Sequence, residues 1–192
     1  MKKRDILFGA LFLTAVVAAP ACAEWRGQAD GLFWLDVPDT WIWTEEKGGV
    51  TVSELDGSDK IAIRFEKIQG AEGSGRDLVT QARDDRRRKV AERNGKSVTK
   101  VERRIDGVFA LQTGFLISTS EGMRQATSVV FFNKGCLFDI YFEAPHEIFR
   151  LEMEKIIDTW RFEKPEEPKE EDEKAAGSEG PDTRSQGGED VS

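Results

Sequence analysis

The sequence predicts an α+β protein: an antiparallel sheet of six to seven strands flanked by helices, with an acidic tail behind it. Three observations carry this prediction. Segments with strand-like patterning recur between residues 32 and 143, two other segments space their apolar residues as helices do, and the last four strand segments are joined by connections too short for any arrangement but antiparallel neighbours.

The first strand covers residues 32–37, where Phe33, Leu35 and Val37 alternate with Leu32, Trp34 and Asp36 until Pro38 ends the run. Segments 50–55 and 60–68 follow as a pair joined through Asp56-Gly57, a dipeptide suited to positive φ at the glycine. Ile61, Ile63 and Phe65 share one face of the second segment, and Arg64 and Glu66 the other. The glycine-rich stretch 70–75 lacks the Gly-Lys-Ser/Thr ending of a phosphate loop and reads as a connection.

A helix opens on a capping box of Ser74 and Asp77 and carries Leu78, Val79, Ala82 and Val90 as its apolar stripe. Asn94-Gly95 supplies its stop. Its opposite surface is assigned Arg83, Arg86, Arg87, Arg88, Lys89 and Arg93. Four strands then follow at 98–105, 108–118, 123–132 and 136–143, turning at Asp106-Gly107, Glu121-Gly122 and Lys134-Gly135. Past Pro145, a last helix from Glu147 to Trp160 aligns Phe149, Met153, Ile156, Ile157 and Trp160 on a face wide enough to cover one side of a sheet.

The ends of the chain read differently. Lys2, Lys3 and Arg4 precede an apolar run of 14 residues and an Ala-x-Ala exit at Ala21 and Ala23, the three parts of a bacterial secretory signal, with cleavage after Ala23. The run is shorter than the roughly 20 helical residues that cross a bilayer, so no transmembrane segment is expected after cleavage. A rival reading makes Cys22 the lipid-bearing residue of a lipoprotein, against which stand Ala19 and Pro20. Cleavage leaves Cys136 as the one cysteine, so no internal disulfide is available and packing must hold the fold.

The domain is expected to span residues 24–162. Beyond it, residues 163–192 carry 11 acids against 4 bases and few apolar side chains, a composition that does not offset the entropy of ordering. Of the formal net charge of −8 over 192 residues, that tail contributes −7. The rest of the chain is close to neutral, and the overall acidity argues against a nucleic-acid binder, because nucleic acid is held by clustered cations.

Few residues offer chemistry. His146 stands without a second histidine at the junction before the last helix, and Cys136 shares a strand face with Phe138, Ile140 and Phe142, which reads as core. There is no nucleophile elbow, no His-Glu-x-x-His and no calcium loop, so no catalytic residue, metal or cofactor is assigned. A small ligand site is placed at Trp34, Asp139, Tyr141 and Glu143. Trp34 must face away from Phe33 in a regular strand, and the other three line the face opposite Phe138.

The arginines Arg83, Arg86, Arg87 and Arg93 make an interaction patch, although Asp84 and Asp85 stand four residues before Arg88 and Lys89, the spacing of helical ion pairs. Folding back of the acidic tail on this patch, weakened by salt, is a further expectation.

An opening strand into Val37-Pro38-Asp39-Thr40-Trp41, two more strands, a helix, a four-stranded meander and a final helix ending near Trp160-Arg161-Phe162 resemble the PsbP-like family. That group includes the extrinsic PsbP subunit of the oxygen-evolving photosystem, the eukaryotic Ran-release factor and bacterial envelope proteins such as DcrB. The resemblance implies a sheet flanked by helices and action by binding rather than catalysis, with no functional residue to carry over. The expectation is a periplasmic or secreted monomer that binds or helps assemble another envelope protein. A small-ligand binder is the alternative, followed by a hydrolase using Asp139 and Glu143 with raised pKa values.

Overall fold

The computed structural model describes residues 23–57, 59–70, 75–145 and 147–166. The signal region through Cys22, the Ser74 half of the capping box, His146 and the tail from residue 167 onward lie outside them. Two strands come first, β1 (Ala23–Gly27) and β2 (Trp34–Pro38), followed by β3 (Trp41–Glu46), β4 (Gly49–Glu54) and β5 (Lys60–Lys67). Helix α1 (Gly75–Ala91), strands β6 (Gly95–Ile105), β7 (Val108–Thr119), β8 (Gly122–Asn133) and β9 (Cys136–Ala144), and helix α2 (Glu147–Asp158) complete the order.

Strands β3 to β9 form one antiparallel sheet in the order β3-β4-β5-β9-β8-β7-β6. The expected meander holds because its turns have the right local chemistry. Asp106 and Gly107 sit at φ 46° and 81°, and Lys134 and Gly135 at 47° and 78°, the doubly positive geometry that matches the twist of a two-residue hairpin. Asn94 takes φ 59° just beyond α1, where the amide side chain tolerates the left-handed conformation that ends a helix.

The seventh strand is not the one expected. Segment 32–37 supplies most of β2, but β2 pairs with β1 in a separate two-stranded sheet, and Trp41–Glu46 takes the edge position instead. The reason lies at the far end of the chain. The Trp34 N–H donates to the Arg161 carbonyl at 2.7 Å, the Arg161 N–H returns to the Trp34 carbonyl at 2.9 Å, and the Asp36 N–H donates to the Thr159 hydroxyl at 2.9 Å. With that edge of β2 bound to the segment after α2, the hairpin lies on the sheet as part of a covering layer.

The molecule therefore has three layers. On one side α2 and the β1–β2 hairpin enclose Phe33, Leu35, Val37, Phe131, Phe138, Ile140, Ile157 and Trp160, all 1% exposed or less. Phe33 stacks on Trp160 at 4.2 Å between ring centres, and Phe131 on Phe138 at 4.9 Å. Such aromatic pairs add about 0.5–1.5 kcal/mol each beyond the area they bury. Cys136 is buried on this face as expected, and burial pushes its thiol pKa up, away from reactivity.

On the other side α1 covers β6 to β9 through two smaller apolar clusters, one around Val79, Leu111 and Val130, the other around Val90, Phe115, Ile117 and Ala126. Between them runs a polar stripe. Cross-strand pairing aligns Thr113, Ser128 and Tyr141 under the middle of the helix.

Candidate functional site

Alternation along β9 points Leu137, Asp139, Tyr141 and Glu143 toward α1 and Phe138, Ile140 and Phe142 toward α2, as the strand period requires. Three of the four residues assigned to a ligand site are thus neighbours on one strand face. The fourth is not with them: Trp34 sits on the hairpin, across the sheet, where its ring lies against Gly27 and beneath the Lys164 ammonium at 5.6 Å.

The arginine patch proves to be the other half of the same place. Val79, Ala82, Arg86 and Val90 follow one another at the i+3, i+4 spacing of a single helix face, so Arg86 belongs to the sheet-facing stripe rather than to the opposite surface. Its side chain is 14% exposed. Its guanidinium pairs with Asp139 and lies 4.6 Å from the centre of the Tyr141 ring. One turn beyond the helix, Arg93 reaches Glu143 at 2.5 Å, and the Tyr141 hydroxyl donates to the same carboxylate at 2.7 Å.

Every arginine from Arg76 to Arg93 holds a carboxylate. Arg76 pairs with Glu102, Arg83 and Arg87 with Asp84, Arg88 with Asp85, and Arg86 and Arg93 with the two acids of β9. Helical pairs form, but at i,i+3 rather than at the expected i,i+4. The patch is consequently a lattice of paired charges, with Arg83 and Arg87 sharing the Asp84 carboxylate.

These contacts set the electrostatics. Burial by itself would raise the Glu143 carboxyl, but the hydrogen bonds from Arg93 and Tyr141 and the charges of Arg93 and Arg124 outweigh it and hold the group below its ordinary value. The Tyr141 phenol is pushed up by burial and by its bond to the Glu143 carboxylate, so it stays a proton donor. Arg93 is raised in turn by its hydrogen bond to Glu143.

Beside this lattice, at the edge of α1, opens a cleft of about 400 Å³. Phe65, Ala82 and Leu137 supply apolar walls, with Arg64, Glu66, Asp85, Arg86, Lys89 and Asp139 as charged groups. The sequence reading placed Arg64 and Glu66 on the polar face of their strand and Lys89 on the cationic surface of the helix, and assigned none of them to a site. Among the described residues no group of three or more His, Cys, Asp or Glu side chains is arranged to hold a metal ion. No described helix is long and apolar enough to cross a membrane.

Solved structures share this architecture. A cyanobacterial PsbP, the CyanoP protein of Synechocystis sp. PCC 6803, matches over 80% of this chain and 98% of its own, at 13% identity and a TM-score of 0.60. A Bacteroides thetaiotaomicron protein, also 13% identical, matches over 73% of this chain with a TM-score of 0.55, and this chain spans about half of it, 48%. No family model matches the chain, and no curated protein matches it in sequence. The class defined by the three layers and by these likenesses is an α+β protein with the PsbP-like fold. At 13% identity the likeness is one of fold alone.

Proposed function

We propose that this is an exported bacterial protein that acts by binding, assisting another envelope protein without catalysing a reaction. The observation that supports this most directly is the state of its best-placed acids. Asp139 and Glu143 are each held by an arginine, and Glu143 is pushed toward the ionised form, opposite to what a general acid needs. That arrangement speaks against the hydrolase reading. Fixed charges around an apolar-walled cleft are suited to recognition. The signal-like residues 1–23 support export and a periplasmic or secreted location, with Cys22 lipidation as the alternative. In this reading the domain of residues 24–162 is a monomer that engages its partner through the cleft at the edge of α1.

The test is site-directed crosslinking in the native envelope, with photoreactive side chains at Arg64 or Lys89 beside the cleft and at Glu152 of α2, on the other side of the sheet, as a control. A single protein adduct at the first two positions and none at the third is expected. Adducts spread equally over all three overturn the reading. N-terminal sequencing of the exported form decides between cleavage after Ala23 and a blocked Cys22.

A small-ligand site is the second reading, favoured by the cleft's volume of about 400 Å³. It predicts a rise in melting temperature with a bound metabolite and no protein adduct.

A further inference from the structure

Strand β6 is an edge of the main sheet, and from Lys96 to Glu102 every residue is exposed. An exposed edge offers unpaired backbone groups to other chains, and proteins usually blunt it with charge or cover it. β6 carries Lys96, Lys100, Arg103 and Arg104 against the single acid Glu102. Arg103 is engaged by Asp158 and Glu102 by Arg76. Lys96, Lys100 and Arg104 form no ion pair among the described residues, in contrast to the arginines of α1.

The chain's last described segment lies at the end of this strand. Asp106 directly follows β6, and its carboxylate accepts the Phe162 N–H at 2.9 Å. Glu163, Lys164 and Pro165 then line a cleft with Asp106 and Val108. Val108 also lines the neighbouring groove, where Arg76 and Arg104 stand. Through Val108, the two clefts lead from the end of the described residues to Arg104 of β6. Next in the chain come the acids Glu166, Glu167, Glu170, Glu171, Asp172 and Glu173, interrupted by Pro168 and Lys169. Seven residues past Glu166 extend up to about 25 Å, and Asp106 to Lys100 spans about 20 Å of strand, so the acids reach.

We propose that the acidic segment 166–173 lies along the β6 edge of its own chain, held by Lys100 and Arg104 and, beyond the irregularity at Ser97/Thr99, by Lys96, and that it thereby shields this edge from other chains. The occupant follows from the opposite charges and from tethering, which makes the encounter intramolecular. The arginine face of α1 is the poorer competitor because its arginines are already occupied.

Amide exchange and amide shifts in the full chain, read by NMR, test this. The comparison is with the variant Glu167→Gln, Glu170→Gln, Glu171→Gln, Asp172→Asn, Glu173→Gln, whose changes all lie beyond the described residues. Amides of residues 96–104 are expected to exchange about tenfold faster in the variant, the combined effect of about three exposed ion pairs of ordinary strength. High salt should produce the same change in the unaltered chain, and Lys100→Glu with Arg104→Glu should reproduce it. Shifts confined to residues 83–93, or none in either segment, overturn the proposal. So does a protection that grows with protein concentration, which would place the edge against a second copy.

Discussion

The Arg86 guanidinium pairs with the Asp139 carboxylate and lies across the Tyr141 ring, joining the middle of α1 to the centre of β9 over a separation of 53 residues. Its environment is neither fully exposed nor dry, with the two charged side chains 14% and 25% exposed. Removing one partner leaves the other charge partly desolvated beneath the helix. Arg86→Ala and Asp139→Ala should each cost about 1–3 kcal/mol, between the values for surface and buried pairs. Urea denaturation measures the loss. The double variant should lose less than the sum of the two, and strict additivity would show that the charges act independently.

The Glu143 carboxyl lies lower in the folded protein than its ordinary value of 4.5. Its contribution to stability is therefore complete above about pH 4.5 and disappears as the pH falls through the folded-state value. Glu143→Gln should flatten the acid limb of the stability profile. Tyr141 has the opposite sign: raised above its ordinary 10.0, it contributes fully below about pH 10 and loses that contribution as the pH rises further. Tyr141→Phe should flatten the alkaline limb and, by removing one of the two hydrogen bonds that hold Glu143 low, weaken the acid limb in part. Urea midpoints across the pH range read both.

The hydroxyls of Thr113 and Ser128 are buried beneath α1 with no protein partner among the described residues. An unbonded buried hydroxyl is a cost rather than a support. Thr113→Val, which keeps the side-chain shape, should leave stability unchanged or raise it by up to about 1 kcal/mol. A fall in melting temperature would show that the hydroxyl is bonded after all.

The same substitution should have different costs at two glycines. A Cβ on Gly49 would stand 2.8 Å from the Ile63 carbonyl oxygen, a backbone atom that moves only with the sheet. Gly57 meets nothing within 4 Å, but its φ of 71° penalises any side chain. Gly49→Ala should cost about 1–3 kcal/mol through overpacking, and Gly57→Ala about 1 kcal/mol through left-handed backbone strain. Thermal unfolding of the two variants ranks them.

The parts of the fold that were legible in the sequence are those with local causes. Asp106-Gly107 and Lys134-Gly135 adopt left-handed turns because of their own side chains, and Phe138, Ile140 and Phe142 share a face because of the strand period. The candidate site was half legible. Asp139, Tyr141 and Glu143 were aligned by that same period, while Arg86 was assigned to the solvent side because its charge outweighed its place in the apolar stripe. Trp41–Glu46 was not read as a strand, since two tryptophans beside two glutamates, Glu45 and Glu46, obscure the alternation.

The antiparallel meander β6 to β9, its faces and its two helices follow from the sequence alone, because turn chemistry and periodicity act over a few residues. Tertiary structure alone decided that β2 leaves the sheet, that β5 joins β9 at the centre, and that Arg86 and Arg93 close on Asp139 and Glu143. Those outcomes depend on which buried edge and which charge find partners far along the chain: Trp34 on Arg161, Arg86 on Asp139. Neither partner leaves a mark in the other's neighbourhood of sequence.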